Sequence, residues 1–332
     1  MKIAATTAAL FAAAATAFAA SGTSGALVRL LNTRSSGSPK LYAEAAAAVA
    51  KDAARGKIVQ QYVIALLSRE PDAPSAARID EATRKKYLAN SRRKIAEMAE
   101  KRNNPLAWYL LSMESNDMEM LRRAATLGNI QGLNAYATIK MTDVLDGVDA
   151  ENPAETLREC YEMFEKASAD GDANALNSLG LCRQNGYGCE KDDKKAFEYF
   201  KRAADSGHPE AINNLGRFYR EGIVVEKDPS AAAKCFESSA AMGNVWGQLN
   251  YATALMNGEG LKKNPARAID LFRSIAAKGI PEAMEVLSDC YAKGLAGLEE
   301  NPGLAAEWRI RSLAARGDAN AAKWLKSNGV SK

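Results

Sequence analysis

Gly171, Gly207, Gly243 and Gly279 stand 36 residues apart, and Gly317 follows after 38. A fixed period of this length means one small unit used repeatedly, each burying its apolar face against the next. Three further columns keep the step. One is Leu179-Gly180, Leu215-Gly216, Tyr251-Ala252 and Leu287-Ser288; another is Gly186, Gly222, Gly258 and Gly294. The last is Phe200, Phe236, Phe272 and, past a two-residue insertion, Ile310. A chain of 332 residues organised this way is an extended array, and it has no need to close around one core.

Within each period the pattern predicts two helices. In residues 208–243 the first, helix A, covers 209–220 and is broken by Gly222. The second, helix B, opens at Asp228 and Pro229, a capping side chain followed by the residue best suited to the first helical position. Ala211, Leu215 and Tyr219 fall on one face of helix A; Ala232, Phe236 and Ala240 fall on one face of helix B. Small residues in the Gly180 and Ala232 columns let helix backbones approach closely.

The pattern A-x-x-x-L-G-x-x-Y-x-x-G, an acidic turn, then K-A-x-x-x-F-x-x-A-A-x-x-G resembles the Sel-1-like repeat, a relative of the tetratricopeptide repeat. Residues 175–207 and 211–243 carry it best, and the likeness covers 172–317. It implies an all-α fold: a right-handed α/α superhelix, or solenoid, of stacked helix-turn-helix repeats. Arg183 and Leu255 depart from the pattern, standing in the column of Tyr219 and Tyr291. Arg183 is expected to run its stem over apolar surface and keep its charge in water.

The expected organisation places a signal peptide at 1–19 and a flexible linker at 20–39. Divergent helical repeats follow at 40–128, a degenerate copy at 129–171, four full repeats at 172–317, and a capping half-repeat with a tail at 318–332. In the divergent region the spacing predicts helices over 41–55, 57–68, 76–102, 106–113 and 118–127. In the last segment Trp324 and Leu325 are placed over the final hairpin. The signal reading rests on Lys2, an uncharged apolar run over 3–16, and Ala17-Phe18-Ala19 as an A-x-A cleavage site before Ala20. The run is short for a membrane span, which needs about 20 residues. The expected location is the periplasm or the exterior after cleavage.

Residues 1–128 carry 19 basic and 11 acidic side chains, while 129–332 carry 25 and 29, so the net +4 hides two surfaces of opposite sign. The total is too mild to imply nucleic acid. A single histidine, His208, excludes HExxH and His-rich metal sites, and its place before Pro209 reads as a turn. No cofactor and no metal is expected. Of the five cysteines, Cys182 could pair with Cys189 or with Cys160 on the preceding helix B. Buried free thiols are the equal alternative.

Ser91-Arg92-Arg93-Lys94 is a Ser-x-x-Lys, the spacing that puts nucleophile and amine on one helix face in penicillin-recognising enzymes. No S-D-N or K-T-G accompanies it. Some exported proteins of the family it resembles carry a β-lactamase label, so a hydrolase is the lesser alternative. The basic set Arg84, Lys85, Lys86, Arg92, Arg93, Lys94, Lys101 and Arg102 is interleaved with Glu81, Glu97 and Glu100 and reads as a solvated helix face.

The favoured site is non-catalytic. One stripe of helix A faces the inner surface: Asn174, Ser178 and Leu181; Glu210, Asn214 and Arg217; Trp246, Asn250 and Thr253; Glu282, Val286 and Asp289. In tetratricopeptide-like arrays Asn on this stripe hydrogen-bonds an extended peptide, using an amide that both donates and accepts. The expected peptide-binding set is Ser178, Asn214, Arg217, Trp246 and Asn250, with Trp246 as a stacking or apolar anchor; the alternative is that the Asn are ordinary neutral surface residues. The expected function is an exported, non-catalytic scaffold or adaptor that binds a protein or extended peptide. No nucleic acid, membrane span or small-molecule substrate is expected. An envelope regulator that binds glycan or a peptidoglycan enzyme is the other reading.

Overall fold

The structure is a computed structural model that describes residues 39–68, 75–148, 151–169 and 171–328. The proposed signal peptide and nearly all of the linker lie outside them. The described residues contain sixteen α-helices and no strand. The chain divides into two compact units, residues 1–211 and 212–332.

The first unit opens with α1 (Pro39–Ala54) and α2 (Ile58–Leu67). Helix α2 is buried over most of its length, which is why its sequence, IVQQYVIALL, shows little amphipathic contrast. The single long helix expected over 76–102 is two pieces: a turn of 3-10 helix at Ser75–Ala77, then α3 (Glu81–Arg102). Asp80 makes the break. Its carboxylate accepts from the Thr83 amide at 2.8 Å and the Thr83 hydroxyl at 2.7 Å, so a fresh N-terminus starts there. Left-handed Asn103 ends α3, and Asn104 caps α4 (Pro105–Ser115). With α5 (Met118–Thr126) these helices bury Tyr62, Ile64, Leu67, Ile95, Tyr109 and Leu110 in one core.

Regular repeats follow. The degenerate copy is α6 (Ile130–Leu145) and α7 (Pro153–Ser168); the next is α8 (Ala173–Asn185) and α9 (Asp193–Asp205). Helix α10 (Pro209–Glu221) holds the division between units. The second unit continues with α11 (Pro229–Ala241), α12 (Val245–Asn257), α13 (Pro265–Ala276), α14 (Pro281–Lys293), α15 (Pro302–Ala315) and α16 (Ala319–Ser327).

Each column now has a cause. A methyl built at Gly180 would sit 2.5 Å from the Phe200 ring, and one at Gly216 would sit 2.6 Å from the Phe236 ring. The glycine column is thus the floor on which the buried phenylalanine of helix B rests. In the fourth copy Ser288 replaces it and donates to the Ala305 carbonyl at 2.8 Å. The Arg183/Tyr219/Leu255/Tyr291 column works through its backbone. Those carbonyls accept from the amides of Asp192, Asp228, Asn264 and Asn301, at 2.7, 2.8, 2.8 and 2.8 Å. Since the carbonyl makes the contact, the side chain is free to vary. Arg183 lies 4.9 Å from the Tyr161 ring centre and donates to the Glu190 carbonyl at 3.2 Å, so its stem is covered and its head is partnered. At the C-terminal end Leu325 is buried, but Trp324 is exposed and does not close the hairpin.

The inter-helix turns share a left-handed position: Gly188, Val224, Gly260 and Ala296, with φ between 60° and 72°. A β-branched residue at positive φ is strained by about 1–3 kcal/mol, and Val224 is half exposed, so packing returns little. Val224→Asn keeps a residue that tolerates this conformation. It is expected to raise stability by about 1 kcal/mol, or roughly 2–4 °C in Tm. A thermal melt with no rise would show that the turn relaxes without cost.

Candidate functional site

The proposed peptide-binding residues sit on three helices. Ser178 lies on α8 in the first unit and is buried. The other four lie in the second unit, on α10 and α12. Asn244 caps α12, accepting from the Gly247 amide at 2.6 Å, and left-handed Gly258 ends it. None of its thirteen residues is charged. Trp246, in the first turn, is 54% exposed although the helix buries Leu249, Tyr251, Ala252 and Leu255. That indole is the one large apolar side chain that this helix leaves in water.

Asn250, one turn on, is already engaged. Its Nδ2 donates to Asn213 Oδ1 at 2.8 Å, and its Oδ1 accepts from Arg220 Nη1 at 3.0 Å. The Arg220 guanidinium lies 5.3 Å from the Phe236 ring centre. Both functions of the Asn250 amide therefore tie α12 to α10. Asn214 is buried and has a partner of its own. Arg217 is half-buried on α10, and among the described residues it makes no ion pair or hydrogen bond. Trp246 and Arg217 are the two members of the set that present unused binding capacity. On α14, Glu282 and Glu285 are held by Arg316 at 3.3 and 3.2 Å.

Sequence reasoning missed Asn213 and Arg220. Asn213 was visible only as half of an Asn-Asn pair. Arg220 lies in the last turn of α10, where a basic residue is ordinary. Only side-chain direction reveals that the two converge on Asn250.

The other candidates separate clearly. Ser91 is fully buried and its hydroxyl donates to the Tyr87 carbonyl at 2.6 Å, while Lys94 is exposed. The Ser-x-x-Lys pair is not brought together. On α3 the basic face is exposed and laced with pairs, Arg84 to Glu81, Arg92 to Glu114 at 3.1 Å, and Arg93 to Glu97 at 3.9 Å. The disulfide left open for Cys160, Cys182 and Cys189 is not formed: all five cysteines are thiols. Cys160, Cys182 and Cys189 join one apolar cluster, where Cys182 Sγ lies 3.8 Å from Met141 Sδ. Burial pushes the Cys182 thiol up to about 12 and that of Cys160 to about 11, so neither is a ready nucleophile. Among the described residues no three His, Cys, Asp or Glu side chains gather as metal ligands, and no helix is long and apolar enough to cross a membrane.

His208 is the surprise. Its ring is buried, and Nδ1 accepts from the Ala211 amide at 3.2 Å, the bond that caps α10. Asn129, Asp172, Asn244 and Asp318 do the same for four other A helices, each bonding the amide three residues on. The position before Pro209 is a turn, as expected, and it is also a capping site.

Repeated two-helix units, in which Phe200 and Phe236 of the B helices rest on Gly180 and Gly216 of the A helices, define a solenoid-type repeat protein. The repeats are of one family. The Sel1 repeat model matches residues 173–208, 209–244, 247–280 and 281–311, so the chain carries four Sel1 repeats. Among solved structures it is similar to a Sel1 repeat protein from Oxalobacter formigenes. The two share 24% identity over 70% of this chain and 97% of that one, with a TM-score of 0.56. It is also similar to c5321, a protective antigen of uropathogenic Escherichia coli strains displaying an SLR fold. There the identity is 19% over 84% of this chain and 66% of that one, with a TM-score of 0.41. A third likeness is to the immunity protein Pa5087 from Pseudomonas aeruginosa, at 20% identity over 57% and 69% of the two chains and a TM-score of 0.40. No curated protein matches the chain.

Proposed function

We propose that this protein is an exported, non-catalytic scaffold that binds a protein or an extended peptide on the A-helix face of its Sel1 repeats. The observation that carries the reading is Trp246, an exposed indole on an uncharged helix, accompanied on α10 by the unpartnered guanidinium of Arg217. Aromatic and Arg side chains are the groups that most often anchor protein interfaces. Asn250 and Asn214 serve as the frame that sets the two helices, and Trp246 and Arg217 make the contact. Export rests on the leader pattern and predicts a mature chain that begins at Ala20.

The test is a crosslinking pull-down from the source cell's envelope with residues 20–332 as bait, beside Trp246→Ala and Arg217→Ala. Both variants remove surface groups and leave the Asn213–Asn250–Arg220 bonds in place. An anchor of this kind is worth about 2 kcal/mol, so binding of the recovered partner should weaken roughly 30-fold in Trp246→Ala. A partner held equally by all three baits would move the site elsewhere. Recovery on insoluble glycan alone would favour the envelope-regulator reading.

A further inference from the structure

The A-helix caps are Asn or Asp with two exceptions: Ile280, which makes no side-chain cap, and His208. Asn and Asp oxygens keep accepting down to low pH, whereas an imidazole nitrogen stops accepting when it takes a proton. The hydrogen bonds around His208 run in one direction. Asp172 caps α8, accepting from the Ala175 amide at 2.8 Å. Asn174, in the first turn of α8, places Oδ1, an acceptor, 3.1 Å from His208 Nε2, and the Ala211 amide is a donor at Nδ1. Nε2 therefore carries the proton, and Nδ1 is free to accept from the Ala211 amide. The Asn174 amide thus ties the cap of α10 to the first turn of α8, the preceding A helix.

A second partner waits at Nδ1. Glu210 Oε2 lies 3.4 Å away, with its side chain about half exposed. The neutral ring satisfies Asn174 and Ala211; the imidazolium would satisfy Asn174 and Glu210 and would leave the Ala211 amide without an acceptor. We propose that His208 is an acid-operated latch: its neutral form locks the first turn of α10 onto α8, and protonation exchanges the helix cap for Glu210 and releases that turn.

The charged groups around the ring agree with this. Burial holds His208 below the ordinary imidazole value, and Glu210 opposes it. Arg202 and Asp205, in the last turn of α9, are exposed. Asp172 is pushed up to about 6 by burial, against the hydrogen bonds from Ala175 and Asn174. The two buried groups act with opposite sign. His208, lowered in the fold, contributes stability that is complete above the unfolded value near 6.5 and is lost as the pH falls. Asp172, raised in the fold, gains stability as the pH drops from above about 6 toward 3.8. A comparison that changes only His208 separates them, and the latch does not depend on the peptide site.

His208→Asn supplies that comparison, because Asn244 caps this turn in the next repeat and Asn does not titrate. Relative to this variant, the wild-type unfolding constant should rise by up to about tenfold between pH 7.5 and 5.5, because the unfolded chain takes up a proton more readily than the fold does. Since His208 is the chain's one histidine, its NMR titration is read without assignment and should give a value below 6.5. In Glu210→Gln that value should fall further. Hydrogen exchange at the Ala211 amide should accelerate as the pH falls through the ring's own NMR titration, beyond the intrinsic pH dependence, in the wild type and not in His208→Asn. Parallel pH profiles for the two proteins, a titration at or above 6.5, or a value unmoved by Glu210→Gln would overturn the latch.

Discussion

Gly216→Ala should destabilise the second unit by about 1–3 kcal/mol, even though alanine is the better helix former by about 1 kcal/mol. The added methyl would lie 2.6 Å from Phe236 Cε1, 2.8 Å from Cδ1 and 3.1 Å from Cys235 Cβ. Phe236 is 1% exposed, so its ring has nowhere to retreat, and crowding outweighs propensity. The clash belongs to one pair and is separable. In a Phe236→Leu background the methyl meets a smaller side chain, and the cost of Gly216→Ala should shrink by at least about 1 kcal/mol. A double-mutant cycle in urea checks this. Strict additivity would mean that the column is small for some reason other than the ring it faces.

Gly260→Ala should cost more than Gly279→Ala, although both glycines have positive φ, at 72° and 83°. At Gly279 nothing lies within 4 Å of the missing methyl, so only the left-handed backbone is penalised, by about 1 kcal/mol or slightly more. At Gly260 the methyl would sit 1.9 Å from the Pro229 carbonyl oxygen and 2.2 Å from its carbon. Those are backbone atoms in the first turn of α11 and cannot swing aside. The turn must lift off α11, adding several kcal/mol to the strain and raising exchange of the amides around Leu261. Equal losses at the two positions would show that contact between turn and helix is dispensable. Gly188 stands in the same relation to the Leu157 carbonyl in the first unit.

These effects explain how much of the fold was legible. The glycine step was readable because each helix B ends in a left-handed residue, and the Phe column because it marks a contact between the two helices of a unit. Helix ends were readable where a cap is local, as at Asp228 and Pro229. The break at Asp80 was missed because the residues before it, SAARI, read as well for helix as for anything else, and only the Thr83 contacts decide the start. The disulfide question could not be closed from spacing, since Cys160, Cys182 and Cys189 share a cluster whether or not they bond.

The candidate site was legible by column and not by orientation. Asn214 and Asn250 share a repeat position, but a repeat position does not say whether an amide faces solvent or a neighbouring helix. Asn250 turned inward because Asn213 and Arg220 offer it an acceptor and a donor at once. Trp246 stayed outside because the first turn of α12 buries Gly247 and leaves its opposite side in water. His208 shows the same division. Its place at a repeat junction was plain from the sequence, but its role depends on Asn174, which lies 34 residues earlier and meets the ring only when α8 and α10 pack.

By itself, then, the sequence determined the repeating unit, its all-α character and the columns that hold each unit together, because those depend on short-range spacing and residue size. Tertiary structure alone decided which polar side chains are spent on holding neighbouring repeats and which remain free to meet a partner. That choice depends on which helices lie side by side, a relation between residues that the period aligns but does not orient.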